Sequence, residues 1–193
     1  MQISWASLAF QLLFSVLSSL LASIIVILYL RSLVPNVEIS GHISEHIDDD
    51  DGKVFRVKVI NKGPRPIINV KLRMHLVHVT THRSNIKTGR IGATKRLRSI
   101  KLLTEEVPEI SRFDLADEFA DYACTFRTSD DIEQRLRNGG RNCYIRFTFS
   151  AVDPFSNFGR VFVRTYDISS IRSGLFEHGN STNVSPLRKL SKS

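Results

Sequence analysis

Three histidines, His75, His78 and His82, and a run of four aspartates, Asp48 to Asp51 before Gly52, are the residues whose types first suggest metal chemistry. Their spacing does not support it. On a strand, positions 75 and 78 point to opposite faces, and His42 and His46 stand about 13 Å apart along an extended chain, so one ion cannot hold either pair. An EF-hand loop places an acid five residues before its glycine and another six after it. Ile47 and Lys58 occupy those places, which predicts a solvated hairpin turn. There is no Gly-x-Ser-x-Gly elbow, phosphate loop or His-Glu-x-x-His helix, and Asp153 and Asp167 flank turns rather than forming a pair. A non-catalytic protein with no metal and no cofactor is expected.

The stronger signal is charge segregation. Residues 53–101 hold 14 Lys and Arg and no acid, whereas residues 105–133 hold 10 Asp and Glu against Arg112 and Arg127. Arg83, Lys87, Arg90, Lys95, Arg96 and Arg98 are the candidate basic surface. Two readings stand: a surface for an anionic leaflet or a partner protein, at about 1 kcal/mol per charge near a bilayer, or a solvated strand face that meets the acidic segment in the fold or in a second copy. Nucleic acid is the poorer partner, because Phe55 is the only aromatic side chain in the basic stretch and single strands are held by stacking.

These residues must be carried by two unlike parts. The first 30 residues contain no Lys, Arg, Asp or Glu, so all 27 basic and 19 acidic side chains of the 193-residue chain fall beyond them. Residues 5–31 are expected to form a transmembrane helix, with Trp5 and Tyr29 as interfacial rings and Pro35 stopping the helix. A cleaved signal peptide is the competing reading, but the n-region lacks Lys and Arg and no Ala-x-Ala site follows. Arg31, Lys53, Arg56, Lys58 and Lys62 lie beyond the helix and only the α-amino group lies before it, which predicts a single-pass cell-membrane protein with its N-terminus outside and its domain cytoplasmic. The same helix inserted the other way gives an extracytoplasmic domain with an envelope-structural or transport-accessory role. In a cytoplasmic domain Cys124 and Cys143 are expected as free thiols. Ser7, Gln11, Ser15, Ser19 and Ser23 recur every fourth residue; Ser15, Ser19 and Ser23 are the candidates for packing against a second copy or a partner helix, unless each serine bonds back to its own i−4 carbonyl.

After Pro35 the apolar period changes to two. Alternation predicts strands over 37–47 and 54–60, a half-buried strand with Val70, Leu72, Met74 and Leu76 inward, a polar loop over 80–95, and a short strand over 97–103. Thr128 to Asp131 reads as a helix start and Asn138-Gly-Gly140 as its stop. Strands over 144–152, with Ile145, Phe147, Phe149 and Ala151 inward, and 160–166 follow. Six or seven strands and one short helix predict a mainly β immunoglobulin-like sandwich over 36–178, with a disordered basic tail over 179–193.

Phe55-Arg56-Val57 leading to Asn61, then Val70 to Val77, and Thr165-Tyr166 followed by Ile171, Gly174 and Phe176 resemble the cytoplasmic immunoglobulin-like domain of inward-rectifier potassium channels. The resemblance covers most of residues 53–176 and implies the same sandwich. That family has two membrane helices and a Gly-Tyr-Gly filter; this chain has one such segment and no filter sequence, so conduction is not implied. The ending from Phe158 to Phe176 is also similar to that of small single-helix bacterial membrane proteins. The expected function is a membrane-anchored β-sandwich that binds a protein partner or anionic lipid.

Overall fold

The computed structural model describes residues 5–48, 52–83 and 91–186. The chain is mainly β, with two α-helices. Helix α1 (Trp5–Ser32) contains a run, Phe10–Leu30, that is long and apolar enough to cross a membrane. Its 21 residues rise about 31 Å, close to the roughly 30 Å of a hydrocarbon core. Its side chains from Phe10 to Leu30 are exposed, as lipid-facing groups would be.

Strands β1 (Val37–Ile39), β2 (Ile43–Asp48) and β3 (Gly52–Asn61) follow, then β4 (Ile67–Arg83), β5 (Ile91–Ile100), β6 (Glu106–Ile110) and β7 (Ala123–Thr128). Helix α2 (Ile132–Gly139) leads to β8 (Cys143–Val152) and β9 (Gly159–Tyr166), and the short strands β10 (Ile171–Ser173), β11 (Leu175–Phe176) and β12 (Val184–Ser185) complete the set. In the first sheet Phe55 of β3 pairs with Glu45 of β2 and with Thr128 of β7, and Ile60 pairs with Glu38 of β1 and Ala123 of β7. β1 and β2 are therefore one interrupted lane on one edge of β3, with β7 on the other edge and β10 parallel to β2 outside it. In the second sheet Leu76 of β4 pairs with Arg98 of β5 and Ile145 of β8, so β5 and then β6 share one edge of β4, and β8 and β9 lie on the other. A bulge between Ile68 and Lys71 accompanies Asn69 at φ 51°, a left-handed position that Asn tolerates.

The two sheets contribute to one apolar core. Ile43, Phe55, Val57 and Val59 come from the first, and Val70, Leu72, Met74, Leu76, Ile145, Phe147 and Phe149 from the second, with Phe126, Ile132 and Leu136 between them. The inward sets read from β4 and β8 are buried as expected, and β8 alternates along its whole length. Complete burial of each such side chain contributes about 1.5–3 kcal/mol.

The structure departs from the sequence reading in three places. The expected 80–95 loop is largely strand: β4 runs to Arg83 and β5 starts at Ile91, because the two pair residue for residue while both their faces stay wet, so neither needs apolar alternation. β3 does not alternate either; Lys58 on its outer side is 4% exposed. Third, the ordered chain continues past 178. β11 and β12 form a hairpin, and the Lys58 ammonium donates to the carbonyls of Glu177 (2.6 Å), Gly179 (2.7 Å) and Ser181 (2.8 Å). The sequence hides this clasp because its donor and acceptors are more than a hundred residues apart and the acceptors are backbone. The rest of the predicted tail, from residue 187, lies outside the described residues.

Burial lowers the Lys58 pKa, and the three carbonyls replace the water that the ammonium gave up. Replacing Lys58 with Met leaves those carbonyls without their donor, at a cost of about 1–3 kcal/mol. Hydrogen exchange of Lys58→Met should show residues 175–186 losing protection while β4 and β8 keep theirs.

Candidate functional site

The inward row of β4 changes chemistry along its length. Val70, Leu72, Met74 and Leu76 are buried; the next inward position is His78, which is exposed. β8 pairs with β4 only as far as His78, opposite Cys143, but β5 continues to Arg83. Beyond His78 the hairpin therefore projects as a two-stranded ribbon. Arg98 stands opposite Leu76 and Arg96 opposite His78, so both arginines share the inward face, about 7 Å apart along β5.

Helix α2 closes this face into a pocket of about 530 Å³, lined by Leu76, His78, Arg96, Arg98, Arg135, Asn138, Gly139 and Cys143. The helix is fixed at both ends. Asp131 caps its start by accepting from Gln134 N (2.9 Å), and Thr128 Oγ1 donates to Lys101 O (2.6 Å), tying the approach to the end of β5. Ile132 and Leu136 are buried in the core, which turns Arg135 and Asn138 toward the pocket. Gly139 is required there, because a Cβ at that position would collide with Cys143 Sγ.

Arg135 is paired with Asp130 (3.0 Å), but Arg96 and Arg98 have no acidic partner among the described residues. No carboxylate lines the pocket. Two adjacent guanidinium forks over an apolar floor are suited to a carboxylate or phosphate group, which each can hold through two parallel N–H donors. The thiol in the floor is not poised as a nucleophile: burial pushes the Cys143 pKa up, and burial and then Asp121 do the same for Cys124.

Of the six basic residues picked from the sequence, Arg96 and Arg98 converge on the pocket. Lys95 lies on the opposite face of the ribbon, across from Val79, and Arg83 is the last residue of β4. Lys87 and Arg90 lie outside the described residues. Arg135, Asn138 and His78 were not picked for this role; the one available signal was the capped helix start at 131, which puts Arg135 and Asn138 three apart on one face. Other members of the basic segment meet the acidic one, as with Lys53 and Glu133 (2.6 Å) or Lys71 and Glu106 (3.5 Å). In α1, Ser15, Ser19 and Ser23 are exposed and the Ser23 hydroxyl donates to Ser19 O (2.9 Å), so this serine is satisfied by its own helix.

α2 is held against the first sheet by Glu133, which accepts from Lys53 of β3 and from Arg137 (2.6 Å each). Lys53, and then Arg137, lower the Glu133 pKa to about 2. In the unfolded chain this carboxyl titrates near 4.5, so the stability it contributes is complete above that pH and is lost as the pH falls toward about 2. Glu133→Gln should flatten the acid limb of a pH–stability curve between about 4.5 and 2 and leave the neutral limb's shape unchanged. No protein-family model matches the chain, and no curated protein matches it significantly.

Proposed function

We propose that this chain is a single-pass, membrane-anchored, non-catalytic module whose immunoglobulin-like β-sandwich uses the arginine pocket to bind an acidic segment of a protein partner. The observation that carries this reading is the pair Arg96 and Arg98, side by side on one pocket wall and free of acidic partners among the described residues. The lane orders support the sandwich: with β1/β2, β3 and β7 as strands A, B and E, and β5, β4, β8 and β9 as C′, C, F and G, they follow the immunoglobulin arrangement. The protonated thiol and the absence of a carboxylate in the pocket lining favour binding over catalysis.

A protein partner is favoured over lipid of the chain's own membrane by where the pocket lies. β4 starts at Ile67, beside the turn next to the end of α1, and its pocket residues begin about 30 Å further along the strand. The positive charge beyond α1 supports a cytoplasmic domain.

The full chain in neutral-lipid nanodiscs should raise the anisotropy of a labelled poly-glutamate peptide, more so at low salt, and Arg96→Glu/Arg98→Glu should weaken that binding at least tenfold. Equal binding by the double variant overturns the pocket as the site, and binding only to anionic vesicles favours lipid instead. In intact cells, with Cys124→Ser as background, a cysteine added after Ser193 should react with a membrane-permeant maleimide and not with an impermeant one. Labelling by the impermeant reagent would assign the domain to the other side.

A further inference from the structure

At the other end of the domain, the loop of residues 153–158 between β8 and β9 carries Phe155, 78% exposed, and Phe158, 42% exposed. The loop is braced from within. Asp153, 3% exposed, accepts from Phe155 N (3.0 Å), Ser156 N (2.9 Å) and Ser156 Oγ (3.0 Å), and Phe158 N donates to Ser156 Oγ (3.2 Å). Arg65 stands 3.7 Å from Asp153 and holds its guanidinium 5.5 Å from the centre of the Phe155 ring. Two large apolar rings are thus presented to the surroundings on a loop with little freedom to fold them inward.

The loop sits at the root of α1. Ser156 Oγ lies 3.5 Å from Leu33 O, Leu33 is 6% exposed, and Lys62 N donates to Asn36 O (2.8 Å), so helix passes into domain without a slack linker. Leu33 is three residues past Leu30, the end of the apolar run, or about 4.5 Å of helical rise. The headgroup layer on each side of a bilayer is about 5–7 Å deep. A loop in contact with Leu33 is therefore held at headgroup depth whenever α1 spans.

We infer that residues 153–158 are a membrane-docking element, with Phe155 and Phe158 seated in the bilayer interface and Arg65 beside them facing lipid phosphates. The inference rests on the anchoring role proposed for α1, and it assigns lipid contact to the end of the domain opposite the basic ribbon. Docking there would hold the arginine pocket out toward the aqueous phase.

The test uses the full chain in phosphatidylcholine/phosphatidylglycerol nanodiscs containing lipids brominated near the top of the acyl chain. Trp5 is the only tryptophan, so Trp5→Phe with Phe155→Trp, and separately with Phe158→Trp, gives single reporters on the loop. Ile47→Trp in the same background reports from an exposed site near the β2–β3 turn. The two loop reporters should be quenched at least twofold by the brominated lipid and protected from aqueous acrylamide, with the Ile47→Trp reporter showing the reverse. Loop reporters that behave like the Ile47→Trp one, while Trp5 of the unmodified chain is quenched, overturn the docking and leave the anchor standing. Failure of Trp5 itself to be quenched overturns the anchor, and the docking with it.

Discussion

The structure depends on the uninterrupted backbone ladder of β4. Its carbonyls and amides are paired with β6 and then β5 on one edge and with β8 on the other, so the strand stays extended through a change of surroundings from dry core to open solvent. Because side chains on a strand alternate strictly, one row of β4 runs from Val70 to His78 with a constant direction. The row packs against the first sheet while its residues are aliphatic and becomes a pocket wall where they turn polar. The core and the arginine pocket are two stretches of one surface, separated only by the point where β8 stops pairing.

The first sheet is organised differently, because its outer face is also covered. Ile60 packs with Ala120 and Tyr122, and Lys58 is enclosed by the turn before β12. A lysine at such a place is tolerated only because its three donors each find a carbonyl; a buried ammonium without them would cost several kcal/mol. Tyr166 closes the same lane from the other side: its hydroxyl donates to Ser40 O (2.8 Å) at the break between β1 and β2, and burial raises its pKa. The Ser44 hydroxyl reaches Gly174 O, so the residues after β9 are fastened back to the strand that follows the anchor.

Charge is spent unevenly in this arrangement. Where basic and acidic segments meet between β3 and α2, or between β4 and β6, the charges are neutralised locally. On the ribbon they are not, since β5 faces solvent on both sides and the only nearby carboxylate with a pocket neighbour, Asp130, is already held by Arg135. The uncompensated guanidinium pair is thus a consequence of a strand continuing past its sheet.

The sequence by itself determined those features that depend on local periodicity. The charge-free run of α1, the alternation of β8, the inward row of β4 and the capped start of α2 are all written as spacings along a short stretch of chain, and physical chemistry converts each spacing directly into a buried or exposed face. The turn-rich 111–122 segment and the strand β7 after it carry no clear period, so β7 becomes visible only through its ladder with β3. Only the tertiary structure decided which basic residues share a site, because Arg96 and Arg98 are selected over Lys95 by the face of β5 they occupy, and Arg135 joins them from another element. The clasp on Lys58 and the contact of the 153–158 loop with Leu33 were decided there too: each joins residues more than a hundred positions apart through backbone carbonyls, which every residue possesses and no sequence pattern marks.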